Sequence, residues 1–151
     1  NIIYFSDSDS DDTSQTPISK EGIPNLSCDE LANMIQNPEL YNYDRIFILD
    51  VRFGYEYNKS HINGARSVIN QKQMVKIFYL CRYRNACVIC YCDESQKKSK
   101  AVFTKIRIFD RKNTPYPELT IRNLYVLDGG YNAFHRNYPQ LCVNNEVAQN
   151  T

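Results

Sequence analysis

Three short runs, Ile46–Leu49, Cys87–Tyr91 and Leu124–Leu127, are apolar along nearly their whole length. A strand with one wet face alternates apolar and polar residues. A continuous apolar run of this length instead needs cover on both faces, as in the middle of a parallel sheet. Between the runs lie segments with helical spacing. Ser27-x-x-Glu30 is a capping box that predicts a helix from Asp29 to about Gln36. Tyr55 to His61 reads as a turn or short helix, and Met74 to Arg82 as a helix. Ser99 to Arg111 reads as an amphipathic helix with Val102, Phe103, Ile106 and Phe109 on one face. Thr114 to Pro117 is a loop, and after Gly129-Gly130 a last helix spans about Tyr131 to Arg136. Strand and helix alternate, so the expectation is an α/β fold: one domain with a central parallel β-sheet flanked by helices on both sides.

The chain has 151 residues, enough for one domain with a sizeable core. Residues 6–16 are almost all Ser, Asp, Thr and Gln. Such a stretch buries too little apolar surface to offset its ordering entropy, so residues 1–16 read as a disordered acidic tail. Ser6, Ser8 and Ser10 lie beside acids, which suits an acid-directed kinase. The domain is expected over residues 17–143, with a flexible tail over 144–151. The first residue is Asn1, so the expectation is a piece of a longer protein.

Net charge is +1, which argues against nucleic acid as the main partner. No apolar run approaches the ~18 residues of a membrane span, and no signal-peptide pattern is present. Four of the six cysteines cluster between Cys81 and Cys92, which favours reduced thiols over disulfide staples. Cys87-x-x-Cys90 has the spacing of a metal pair, but residues three apart on a strand face opposite ways. No metal is therefore expected at this pair, no cofactor is expected either on the reading developed below, and Cys90 reads as a small core residue. His61 and His135 have no ligand-like neighbours in sequence, and His61 is expected to anchor its turn.

Cys92 differs because it ends its strand instead of lying inside it. A loop between a strand end and a helix start aims backbone N–H groups inward and holds oxyanions. A cysteine at the base of such a loop feels a positive field and ionises easily. Asp93, Glu94, Ser95, Gln96 and Lys97 separate Cys92 from the cation Lys98. That spacing is similar to the signature of cysteine-dependent phosphatases, which carry Arg in the last place. In this chemistry the thiolate attacks phosphorus in line while loop amides and the cation hold the equatorial oxygens. The nearby Lys97, Lys98 and Lys100 suit an anionic substrate better than a polymer.

A wider resemblance supports this. Leu49-Asp50-Val51-Arg52-Phe53-Gly54-Tyr55-Glu56-Tyr57, then His61-Ile62-Asn63-Gly64-Ala65, resembles the Asp-Cys-Arg-Tyr, Tyr-Glu-Tyr and Gly-His-Ile-x-Gly-Ala run of the M-phase inducer phosphatases. These are cell-cycle dual-specificity phosphatases on a rhodanese-like fold. Tyr116-Pro117-Glu118-Leu119, then Leu124-Tyr125-Val126-Leu127-Asp128-Gly129-Gly130-Tyr131, resembles that family's Tyr-Pro-x-Leu and Leu-Tyr-x-Leu-x-Gly-Gly-Tyr run. The resemblance covers roughly Ile23 to Cys142. Three positions depart from it: Tyr91 stands where the family has His, Lys98 where it has Arg, and Val51 where it has a second, protective cysteine.

The resemblance implies a dual-specificity phosphatase that dephosphorylates a cyclin-dependent kinase through a cysteinyl-phosphate on Cys92. It places the phosphate-binding loop at Asp93, Glu94, Ser95, Gln96, Lys97 and Lys98. The leaving-group acid falls to Asp93 or Glu94. Lys98 keeps the charge of Arg but loses its bidentate fork, so activity is expected to be attenuated. The expected setting is a monomer in the nucleus and cytoplasm, with a phosphorylated protein as partner and neither nucleic acid nor membrane. Two alternatives stand beside it: a catalytically inactive rhodanese-like binding module, and a thiosulfate sulfurtransferase.

Overall fold

A computed structural model describes residues 22–145; the expected acidic tail and most of the expected C-terminal tail lie outside them. Five strands form one parallel sheet: β1 (Asn25–Leu26), β2 (Arg45–Asp50), β4 (Ala65–Ser67), β5 (Ala86–Tyr91) and β6 (Asn123–Leu127), in the order β1-β6-β5-β2-β4. β3 (Ser60–Ile62) pairs antiparallel with β7 (Cys142–Asn144) in a small second sheet. The helices are α1 (Cys28–Gln36), α2 (Gly54–Lys59), α3 (Gln71–Cys81), α4 (Lys97–Asn113) and α5 (Gly130–Asn137).

All six residues of β5 are buried, which is why its sequence does not alternate. The pleat still sorts them. Val88 and Cys90 join α3 and α4 on one face, through Met74, Ile77, Phe78, Val102, Phe103 and Ile106. Cys87, Ile89 and Tyr91 face α1 and α5 on the other, against Leu31, Met34 and Phe134. The two cysteines of the Cys-x-x-Cys pair therefore lie on opposite faces, as the strand periodicity requires. Helices cover both sides of the sheet, as expected.

The long elements match their sequence signals, with shifted ends. Ser27 Oγ accepts the Glu30 N–H at 3.0 Å and opens α1. Asn70 Oδ1 does the same for Gln73 at 2.9 Å, so α3 starts at Gln71, ahead of the expected Met74. The helix expected from Ser99 begins at Lys97 and runs on to Asn113. Asn144 of β7 pairs with Ser60 of β3 and Asn145 Nδ2 donates to Asn58 O at 2.7 Å, so contacts with the domain pass the expected boundary at 143. The short strands β1, β3, β4 and β7 carry no periodic signal in the sequence.

Candidate active site

β5 is the middle strand of the five, and Cys92 is the first residue past its carboxyl end. In parallel α/β sheets ligands bind at that edge. The residue is 1 % exposed. Its Sγ accepts the Ser99 N–H at 3.2 Å and lies 3.2 Å from Ser99 Oγ, to which the thiol donates. Ser99 is itself fully buried in the first turn of α4, and its hydroxyl donates to Gln96 O at 3.1 Å. The loop thus folds back so that the seventh residue after Cys92 wraps the sulfur. Sequence reasoning did not assign Ser99 this role; its place directly after the cation Lys98 was the available signal.

The loop is supported from α5. Tyr131 N donates to Cys92 O at 2.8 Å, and Gly129 N to Gln96 Oε1 at 3.0 Å. Gly130 has φ +68°, and a Cβ there would sit 2.2 Å from Asp93 O. Only glycine tolerates both that backbone and that approach. The Gly129-Gly130 pair therefore lets the helix end press against the Cys92 loop.

The inside of the loop differs from the expected open cradle. Asp93 turns its carboxylate inward, where Oδ1 accepts Ser95 N at 3.1 Å and Ser95 Oγ at 2.7 Å. Gln96 N donates to Asp93 O at 3.1 Å, and Lys97 N to Ser95 Oγ at 3.3 Å. Three of the amides expected to meet phosphate are thus taken by the loop's own oxygens. Glu94 Oε1 accepts Asn132 Nδ2 at 3.1 Å. A surface depression lined by Asp93, Glu94, Ser95 and Asn132 brings two carboxylates to the mouth.

The thiol also departs from expectation. Burial raises the Cys92 pKa above its ordinary value. The two Ser99 contacts pull it down, and the Asp93 charge pushes it up again. Easy ionisation is therefore corrected to a protonated sulfur, because desolvation outweighs the donors around it. Lys98, expected to face the anion, holds its Nζ 4.2 Å from the centre of the Phe53 ring. Lys97 is exposed at the start of α4.

Tyr91 points away from the sulfur, across the sheet. Its hydroxyl donates to Asp50 Oδ2 at 2.7 Å and accepts the Ile62 N–H at 3.2 Å. Asp50 also takes a bidentate grip from Arg52, with Nη2 to Oδ2 at 2.7 Å and Nε to Oδ1 at 3.1 Å. Tyr91 is thus part of a buried ionic strut. Val51 is fully buried in the same apolar cluster as Cys92. His61 anchors its turn as expected: Nδ1 is 2.8 Å from Tyr57 O, and the two rings stack at 3.9 Å. No group of three or more His, Cys, Asp or Glu side chains able to hold a metal occurs among the described residues.

Residues 27–137 match the family model "Rhodanese-like domain". Over 123 residues the chain is 30% identical to M-phase inducer phosphatase 1-B of Xenopus laevis, covering 78% of this chain and 22% of that protein. It is 30% identical to M-phase inducer phosphatase cdc-25.3 of Caenorhabditis elegans over 126 residues, 80% of this chain and 40% of that one. It therefore spans well under half the length of these curated relatives. Among solved structures, Saccharomyces cerevisiae Ygr203w, a homolog of single-domain rhodanese and Cdc25 phosphatase catalytic domain, superposes with a TM-score of 0.60 at 18% identity, covering 81% of this chain and 86% of that one. A thiosulfate sulfurtransferase from Pseudomonas aeruginosa superposes with a TM-score of 0.58 at 16% identity, covering 91% of this chain and 23% of that one. At these identities the structural likenesses speak for the fold alone. With a doubly covered parallel sheet, a cysteine at the carboxyl end of its middle strand and a family match across all five helices, the chain belongs to the rhodanese-like domain family.

Proposed function

We propose that this domain is an attenuated cysteine-dependent phosphatase of the M-phase inducer type, acting on phosphothreonine and phosphotyrosine of a cyclin-dependent kinase. The observation that carries the reading is the seating of Cys92 Sγ against the Ser99 N–H at 3.2 Å, on a loop with five residues between cysteine and cation. A donor aimed at the sulfur stabilises the thiolate relative to the thiol, and five residues give room for a tetrahedral dianion. M-phase inducer phosphatases are 30% identical to the chain over 123 and 126 residues.

In the reaction the Cys92 thiolate attacks phosphorus and the bond from phosphorus to the substrate oxygen breaks. Asp93 or Glu94 gives the leaving oxygen its proton. Water then cleaves the sulfur–phosphorus bond and releases inorganic phosphate. Substrate phosphate replaces the Asp93 carboxylate as acceptor for the Ser95 amide, and Lys98 leaves the Phe53 ring to meet the dianion. Each exchange costs free energy that an open loop with Arg would not require, hence the attenuation. Phosphate release from a phosphotyrosine peptide, with trapping of the cysteinyl-phosphate by acid quench, tests the reading. Release lost in Cys92→Ser supports it, whereas no release above that variant overturns it.

A second reading has its own observation. The internally satisfied loop and the protonated sulfur fit a binding module that holds a phosphoprotein without turnover. Lys98→Arg separates the two: turnover rises in a weak enzyme and stays at zero in a binding module.

A further inference from the structure

The opposite, amino-terminal edge of the sheet carries a second polar site that the reaction does not use. A cavity of about 470 Å³ lies there, with Arg82, Arg84 and Arg122 among its lining residues and Glu118 its one carboxylate. Both walls are held in place from inside. On one side the buried Asp110 accepts Thr120 N at 2.9 Å and Ile121 N at 2.7 Å, while Arg107 donates to Ile121 O at 2.6 Å. On the other, Asn85 N donates to Asp44 Oδ2 at 2.7 Å and its side chain to Asn42 O at 2.6 Å. Between them Tyr83 takes φ +62°, unusual for a bulky residue, and is 94% exposed. Arg84 and Arg122 have no carboxylate partner among the described residues. Unspent guanidinium groups on preformed walls are what an anionic segment requires, because little ordering remains to be done on binding.

The chain itself contains such a segment. Asp7, Asp9, Asp11 and Asp12 alternate with serines just ahead of the domain. The described chain begins at the same edge of the sheet. β1 runs parallel to β6 with Asn25 opposite Val126, and Pro24 O accepts Val126 N at 3.0 Å. Carried upstream, that register points residues 22–24 toward Asn123, next to Arg122. Residues 13–21, extended, reach up to about 30 Å, so the tether does not prevent the acidic run from arriving. We propose that the acidic segment 6–12 docks in cis into the Arg84–Arg122 cavity, and that phosphorylation of Ser6, Ser8 or Ser10 tightens the contact. Each phosphate adds about −1.5 to −2 charges and an oxygen set that fits the arginine fork.

The test is nitrogen-15 NMR of the full chain, reading the amides of Tyr83, Arg84, Thr120 and Arg122. Neutralising Asp7, Asp9, Asp11 and Asp12 to Asn is expected to shift these amides. In an Arg84→Ser/Arg122→Ser background the same change is expected to be silent. Phosphorylation by an acid-directed kinase is expected to move the amides in the sense opposite to neutralisation. Unmoved amides overturn the proposal, as does a response that persists without the two arginines. Shifts that scale with protein concentration assign the cavity to a second copy's segment and overturn docking in cis. A response to inorganic phosphate alone, with none to the Asp changes, leaves a generic anion site and also overturns it.

Discussion

Asp50 ends β2 and lies opposite Tyr91, whose neighbour Cys92 opens the loop after β5. The two acidic groups thus sit at the carboxyl ends of paired strands, and their surroundings differ. The Asp50 carboxylate is fully buried and accepts from the Arg52 side chain, the Arg52 backbone and the Tyr91 hydroxyl. Arg52 Nη2 also reaches Ser60 O at 2.7 Å, which ties β3 to the end of β2. Cys92 is equally buried but has one backbone donor and a serine hydroxyl, and the nearest carboxylate opposes its ionisation. One site has its charge fully partnered and serves as a strut. At the other, desolvation outweighs the donors and works against ionisation of the sulfur. A buried charge stabilises only with partners in place, whereas reactivity needs a group left incompletely served.

The largest expected effect breaks the reactive side. Cys92→Ser is expected to lower phosphate release by about 10⁴-fold or more while leaving the urea midpoint nearly unchanged. Residual turnover near the parent value removes Cys92 from the reaction. Next, Arg52→Ala strands the Asp50 carboxylate and is expected to cost about 3–5 kcal/mol in urea unfolding. A cost below ~1 kcal/mol, the range of an exposed pair, means that the strut is not structural. Lys98→Arg sharpens the contrast from the other direction, restoring the fork with an expected gain on the order of 10²-fold in turnover. Tyr91→Phe removes one donor from a carboxylate that keeps Arg52, and is expected to cost about 1–3 kcal/mol with little change in the Cys92 alkylation rate. An alkylation rate altered as much as the stability places Tyr91 in the reactive site after all.

The last effect concerns pH and is confined to the alkaline range. Burial raises Cys87 and Cys90 to about 12 and Cys81 to about 11. These thiols stay protonated in the fold while the unfolded chain ionises near 9. Their contribution is fully present below that value and is lost as pH climbs from about 9 toward 12. A thermal midpoint flat across that window contradicts the assignment. Iodoacetamide labelling of Cys92 is expected to accelerate with rising pH through neutrality, since burial keeps the thiol protonated there.

The middle of the sheet was legible because β2, β5 and β6 are buried on two faces, and burial leaves a continuous apolar mark. The helix starts were less so. Asn70 caps α3 from a position that carries no periodicity, and Gln96 opens α4 in the left-handed region without a capping side chain. Gly129-Gly130 was visible as punctuation, but its role as the seat of the Cys92 loop was not, because the clash it avoids is with Asp93, far away in sequence.

The sequence by itself determined the α/β class with β2, β5 and β6 as its buried parallel strands, the position of Cys92 at a strand end, the spacing to Lys98 and the opposed faces of Cys87 and Cys90. All of these follow from local periodicity and chain spacing. Only the tertiary structure decided what the loop residues meet. Asp93 turns in to take the Ser95 amide, Lys98 lies over Phe53 from a neighbouring strand end, and Ser99 closes on the sulfur. Side-chain partners and desolvation depend on which distant segments the fold brings within a few ångströms, and spacing along the chain carries no record of that.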